Sequence, residues 1–366
     1  MLLTPIILFV ILMILLYVPP VQNFIRKQAT AIASDATGMN ISVERIDLRF
    51  PLNLLVRGVQ VVQSENDAVD MQHPDTLLNL GSLNVRVQAW PLLQGRVEVD
   101  DITLQQVAVN SSTLLEGMHI KGTLGRFFLE SHGIDLKKEN AVLNSVELSN
   151  THVQVILADT AEAPKDTVET ALNWRIALHN LKLKNVSVDL QMPLDSMTLA
   201  ANIGDASIED ANADLKRQFY GWRKFALTGT AVNYDSGTAA PVVGFDASHI
   251  ALRDIRIGID SVMSCGRDMN AVIREFSMYD RSGLTVTSLT GRLFADSTLI
   301  RVPHLQLTTP HSEMNLTAQT YWKLVDIPTT GRLSARFNAN IGKQDVLLFA
   351  GGLPETFKEA YPFRPL

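Results

Sequence analysis

From Asn40 onward apolar residues recur at every second position, and that period fixes what this chain can become: strands with one apolar and one polar face. Ile41 and Val43, then Ile46 and Leu48, begin the pattern. Leu83, Val85 and Val87, then Val97 and Val99, continue it. Within the alternation a shorter signature returns: two apolar residues two apart, a step of three, then another pair two apart. It occurs at Leu54, Val56, Val59, Val61; at Ile102, Leu104, Val107, Val109; and at Ile176, Leu178, Leu181, Leu183, Val186, Val188. It occurs again at Ala206, Ile208, Ala211, Ala213 and at Ile250, Leu252, Ile255, Ile257, Ile259. The residue before the second pair is Gly58, Asn180, Asn185, Asp210 or Asp254, types that reach positive φ at low cost, with Gln106 the exception. A slip of one residue turns every later side chain to the wrong face. The expectation is therefore a residue in the left-handed region at each step, as a bulge or tight turn, which restores the phase and bends the strand around one continuous apolar face. The repeats are unevenly spaced, so the reading is a long, mostly antiparallel sheet growing by hairpins rather than a tightly wound solenoid.

Ahead of the sheet stand eighteen residues, MLLTPIILFVILMILLYV, without a charge. A run of this length covers a bilayer's hydrocarbon as a helix. It lacks the basic start and nearby small-x-small site of a cleaved signal. The expected membrane anchor covers residues 1–20, with Ile6, Ile7, Leu8, Phe9, Val10, Ile11, Leu12, Ile14, Leu15 and Leu16 facing lipid. Pro19 and Pro20 are read as a break. A short amphipathic helix follows over 21–38, with Val21, Phe24, Ile25 and Ile32 on one face and Gly38 as its stop; it lies on the membrane surface or caps the next domain. Short helices are expected after Gly342 and after Pro354, and polar loops at 159–170 and 235–241.

Chemistry is hard to place on this chain. Its net charge of −6, without a basic stripe, argues against nucleic acid as a partner. The single cysteine, Cys265, forms no internal disulfide, and the eight histidines show no ligand spacing, so neither a metal nor another cofactor is expected. No glycine-rich segment has the strand, phosphate loop and helix order, and no serine sits in a nucleophile elbow. Asp100 and Asp101 are read as a turn before Ile102, since strand neighbours point to opposite faces. The chain reads as a non-enzyme.

What it does offer is apolar sheet face, in a composition 46% hydrophobic and 19% charged. Such a face is covered by curling into a barrel, by pairing in a sandwich, or by an outside ligand lying in a trough. The floor would be the stripes Val97, Val99, Ile102, Leu104, Val107 and Val109, then Ile176, Leu178, Leu181, Leu183, Val186 and Val188, then Ile250, Leu252, Ile255 and Ile257. A continuous aliphatic groove fits acyl chains, which need no polar contact.

The succession of apolar anchor, Pro19-Pro20-Val21-Gln22, short helix, Thr37-Gly38, ISVERIDLRFP, LLVRGVQVV, DTLLNLGSLNVRV and WPLLQGRVEVDDITLQQVAV resembles the N-terminal portion of the AsmA-like family, its TamB-like (translocation and assembly module) branch above all. The likeness covers roughly residues 1 to 110 closely and the remainder loosely. It implies a single-pass inner-membrane protein whose residues 39–366 form an elongated, curved β trough in the periplasm. It further implies phospholipid conducted between inner and outer membranes along the apolar interior, with the stripes above holding the lipid. The same family is tied to assembly of outer-membrane or secreted proteins with a β-barrel partner, which would bind by strand addition at a sheet edge. Members are usually much longer, so the chain is read as an N-terminal part. Arg26 and Lys27 then lie on the exported side, against the positive-inside bias.

Overall fold

The computed structural model describes residues 19–49, 52–63, 76–88, 99–111, 117–135, 138–157, 173–326 and 332–350. The anchor expected over residues 1–20 lies almost wholly outside them, as do Val97, the loop at 159–170 and the helix expected after Pro354. Among the described residues no helix is long and apolar enough to cross a membrane.

The protein is mainly β, with sixteen strands among the described residues in open sheet whose order follows the chain. Two compact units divide it, and the boundary between Val155 and Ile156 falls inside a strand. The first unit holds a helix α1 (Pro19–Thr37) and strands β1 (Asn40–Arg49), β2 (Asn53–Val62), β3 (Thr76–Val87), β4 (Val99–Asn110), β5 (Met118–Asp135) and β6 (Asn140–Leu157). The second holds β7 (Arg175–Met192), β8 (Met197–Asp214), β9 (Phe219–Ser236), β10 (His249–Cys265), β11 (Asp268–Asp280), β12 (Thr285–Val286), β13 (Ser288–Ala295), β14 (Leu299–Thr308), β15 (Glu313–Tyr321), a short helix α2 (Trp322–Asp326), β16 (Leu333–Asn340) and α3 (Lys343–Ala350). Sequential strands pair antiparallel from β1 through β5 and again from β7 through β11, and β12 makes a short side pairing with β11. Hairpin connection favours this order, because an antiparallel neighbour needs only a few residues of turn.

Helix α1 begins at Pro19, two residues before the sequence reading placed it. Proline is compatible with the first turn, where its missing N–H has no acceptor to lose. The helix ends as expected: Gly38 has φ +69°, and its N–H reaches the Ser34 carbonyl at 2.9 Å. Helix α3 follows Gly342 as the sequence suggested, whereas α2 carried no signal long enough to read.

The phase step is present, and it is collective. Gly58, Gln106, Asn185, Asp210 and Asp254 all have φ between 52° and 60°. Asn180 does not, so one expected position is overturned, and Gln106, the sequence exception, conforms. The register explains both. In the first unit Gly58 lies between Glu44 and Gly81, and Gln106 lies between Gly81 and Gly125, which itself faces Asn150. Every strand takes its step in this one row, with left-handed residues on alternate strands: Gly58 on β2, Gln106 on β4, Asn150 on β6. In the second unit one row runs Asn185, Gly204, Gly229 and another His179, Asp210, Arg223, Ser261. Asn180 stands beside this second row on a strand whose neighbour, Asp210, takes the left-handed conformation instead. The step therefore leaves pairing in register across β7, β8 and β9, and the expected extra residue of a bulge is absent there. True bulges occur elsewhere, between Arg86 and Val87 opposite Asp101 and Val99, and in β10 around Asp254.

Candidate functional site

Because the steps coincide, apolar residues stay on one face of each unit and line up across strands. In the first unit Val43, Val59, Leu80, Val107 and Leu124 form one row, and Ile46, Val56, Leu83, Leu104 and Phe127 the next. In the second, Val188, Ala201, Val232 and Leu252 form a row, as do Leu183, Ala206, Leu227 and Ile257, and Leu181, Ile208, Phe225 and Ile259. The stripes read from sequence on β7 and β10 are thus brought together through β8 and β9. Those on β4 share the face of the first unit.

The face is not closed. Among the described residues no large side chain is fully buried, and only eight hydrophobic residues are buried at all. Val186 and Ile255 are among those eight, at 6% and 5% exposure, while Val109 and Val188 stand 39% and 37% exposed. Val99, Ile102, Leu104, Val107, Ile176, Leu178, Leu181, Leu183, Ile250, Leu252 and Ile257 are half-buried. The Trp222 indole N–H, on the same face beside Val262, has no acceptor among the described residues.

The opposite face is polar, and its side chains pair across strands. Asp210 accepts hydrogen bonds from Arg223 and His179, which hold its carboxyl below the usual carboxylate range, Arg223 first. Asp100 and Asp101 are strand residues rather than a turn. The β4 bulge undoes the alternation there, so Asp100 bonds Gln88 and Asp101 pairs with Arg86, and both line one cleft of about 250 Å³. The premise that adjacent strand residues cannot share a site fails at that bulge.

A larger cleft, about 480 Å³, lies across β1 to β5 and is lined by Arg49, Arg57 and Arg126 together with Asn53, Leu55, Ser82, Asn84, Thr103 and Gln105. Sequence reasoning missed it, because its arginines are far apart in the chain and meet only through the register: Arg57 faces Ser82, Ser82 faces Gln105, and Gln105 faces Arg126. Among the described residues no group of His, Cys, Asp and Glu converges in a way that would hold a metal ion.

No family model matches the chain, and no curated protein does. The resemblance to the AsmA-like family accordingly rests on the order of segments in the sequence.

Proposed function

We propose that this chain is a non-enzymatic, inner-membrane-anchored conduit of the AsmA and TamB-like kind, carrying phospholipid between inner and outer membranes on the apolar face of a curved, periplasmic β trough. The observation that carries the reading is the in-register apolar face left half-exposed in each unit. Burying an acyl chain against it is favourable by roughly 25 cal/mol per Å² removed from water. Rows of Val, Ile and Leu offer no single polar trap, so a chain can move along them while its headgroup stays in water. A photocrosslinker placed at Val107 or Val188 in cells should capture phospholipid, and one at the polar-face positions Ala108 or Lys182 should not. Capture confined to the polar positions would sink the conduit.

A second reading, an assembly factor for outer-membrane or secreted proteins acting with a β-barrel partner, draws support from β16. Leu333 and Phe337 are 63% and 60% exposed, and beyond pairing with β15 the strand has no further neighbour among the described residues. A bare edge is a template for strand addition. Arg336→Pro should then abolish co-purification with a barrel protein while leaving lipid capture intact. Loss of lipid capture alone would favour the conduit.

A further inference from the structure

We propose that the cleft lined by Arg49, Arg57 and Arg126 binds an organophosphate anion that also carries hydroxyl or ammonium donors. The cleft lies on the polar face, so this proposal stands apart from the acyl-chain reading, and either can fail alone. Its charge is the first argument. Arg45, directly opposite Arg57, is paired with Asp47 at 2.6 Å, and Arg86 is paired with Asp101. Arg49 and Arg57 have no ion pair among the described residues, Arg126 has only Glu147 at 3.8 Å, and no carboxylate lines the cleft. The three guanidiniums line one cleft that no lining carboxylate neutralises, so the cleft as a whole is electropositive and a bound anion complements it.

Geometry and size narrow the ligand. The guanidinium fork matches phosphate oxygens two at a time, and Arg126 is steadied by the Phe128 ring, 5.3 Å from its centre. Thr103 and Ser82 are the hydroxyl residues of the cleft lining. Asn53 and Asn84, which line the cleft, each keep a side-chain oxygen with no donor among the described residues, and if either amide turns toward the cleft a ligand hydroxyl or ammonium supplies the bond that a bare phosphate cannot. The volume is that of a small-molecule site rather than a nucleic-acid track. Either a phospholipid headgroup or a free polyol phosphate has this chemistry.

The test uses the full chain in uncharged detergent, titrated with glycerol 3-phosphate, with inorganic phosphate, and with phosphatidylcholine vesicles with and without phosphatidylglycerol. The expected result is binding of glycerol 3-phosphate tighter than inorganic phosphate, or of vesicles only when phosphatidylglycerol is present; the first identifies a free metabolite, the second a headgroup. Arg57→Gln or Arg49→Gln should weaken that binding by about tenfold or more. Arg175→Gln, which removes an arginine paired with Asp214 in the second unit, should not. In the unmutated chain, the bound probe should shield Arg57 from phenylglyoxal, a readout that needs no variant to fold. Binding of neither probe, a loss shared by Arg175→Gln, or no shielding overturns the proposal.

Discussion

At the scale of single residues, the rows make two glycines of the second unit unlike in kind. Gly229 has φ +60°, and its added Cβ would meet only the Gly204 Cα at 3.9 Å, so alanine there bears the left-handed conformation alone, roughly 1–2 kcal/mol. Gly204 has ordinary φ, but its Cβ would stand 2.7 Å from the Gly229 carbonyl oxygen and 3.0 Å from that of Thr228. Backbone cannot rotate away as a side chain can. Gly204→Ala should therefore lower the urea midpoint more than Gly229→Ala; the reverse order would mean that conformation, not close approach, dominates the row. Where the left-handed residue is Asp210, the side chain is occupied as well, bonded by arginine and histidine from the strands on either side.

Among the elements, α1 is tied to the strand that opens the first unit. Arg26 donates to the carbonyl oxygens of Val43 at 3.0 Å and Glu44 at 3.1 Å, and the Ser34 hydroxyl accepts from the Ile41 N–H at 3.1 Å. The two carbonyls lie at and beside the phase step of β1, a strand whose only paired neighbour among the described residues is β2. Of the two roles the sequence left open for this helix, capping the sheet is the one these bonds serve, which suits the general need to protect edges. Arg26→Ala should accelerate amide exchange over residues 41–45 without changing β7 to β9. Unchanged exchange would show the helix to be idle at this edge. Helix α3 is fastened differently, by buried Asp345, whose carboxylate accepts from the Thr309 and Ser312 hydroxyls while Ser312 accepts from the Gly342 N–H at 3.0 Å. Burial pushes the Asp345 carboxyl up, but the hydroxyls of Ser312 and Thr309, with His311 nearby, outweigh it and hold the carboxyl below its ordinary value of 3.8. A carboxyl lowered by folding stabilises the fold above its unfolded value, and that stability is lost as pH falls through the folded one. Thermal midpoints should thus fall below about pH 4, more steeply in the unmutated chain than in Asp345→Asn. An equal slope in both would remove this carboxyl from the account.

For the whole molecule, the consequence of single-layer sheet is an apolar face whose residues differ in how much stability they carry. Val186, at 6% exposure, and Val188, at 37%, sit two apart on β7 and point the same way. An unpaired carboxylate is costly where it is buried and tolerable where water reaches it. Val186→Asp should unfold the second unit, whereas Val188→Asp should keep its thermal midpoint near that of the unmutated chain and lose lipid capture. A folded Val188→Asp protein that still captures lipid would count against the groove. Much of this was legible beforehand: period two gave the strands, the step of three gave Gly58, Asn185, Asp210 and Asp254, and the stripes on β7 and β10 are the residues that share a face. Local pattern suffices there because strand alternation and left-handed propensity are properties of neighbouring residues. Gln106 and Asn180 were misjudged because the step belongs to a row across strands, and which strand turns left-handed depends on what stands opposite. The arginine cleft escaped for the same reason, since Arg49, Arg57 and Arg126 become neighbours only once the register is fixed. The sequence by itself determined the strands and their apolar faces; the tertiary structure alone decided which distant polar residues meet and that the apolar face stays open, because both depend on pairing between segments that no local periodicity encodes.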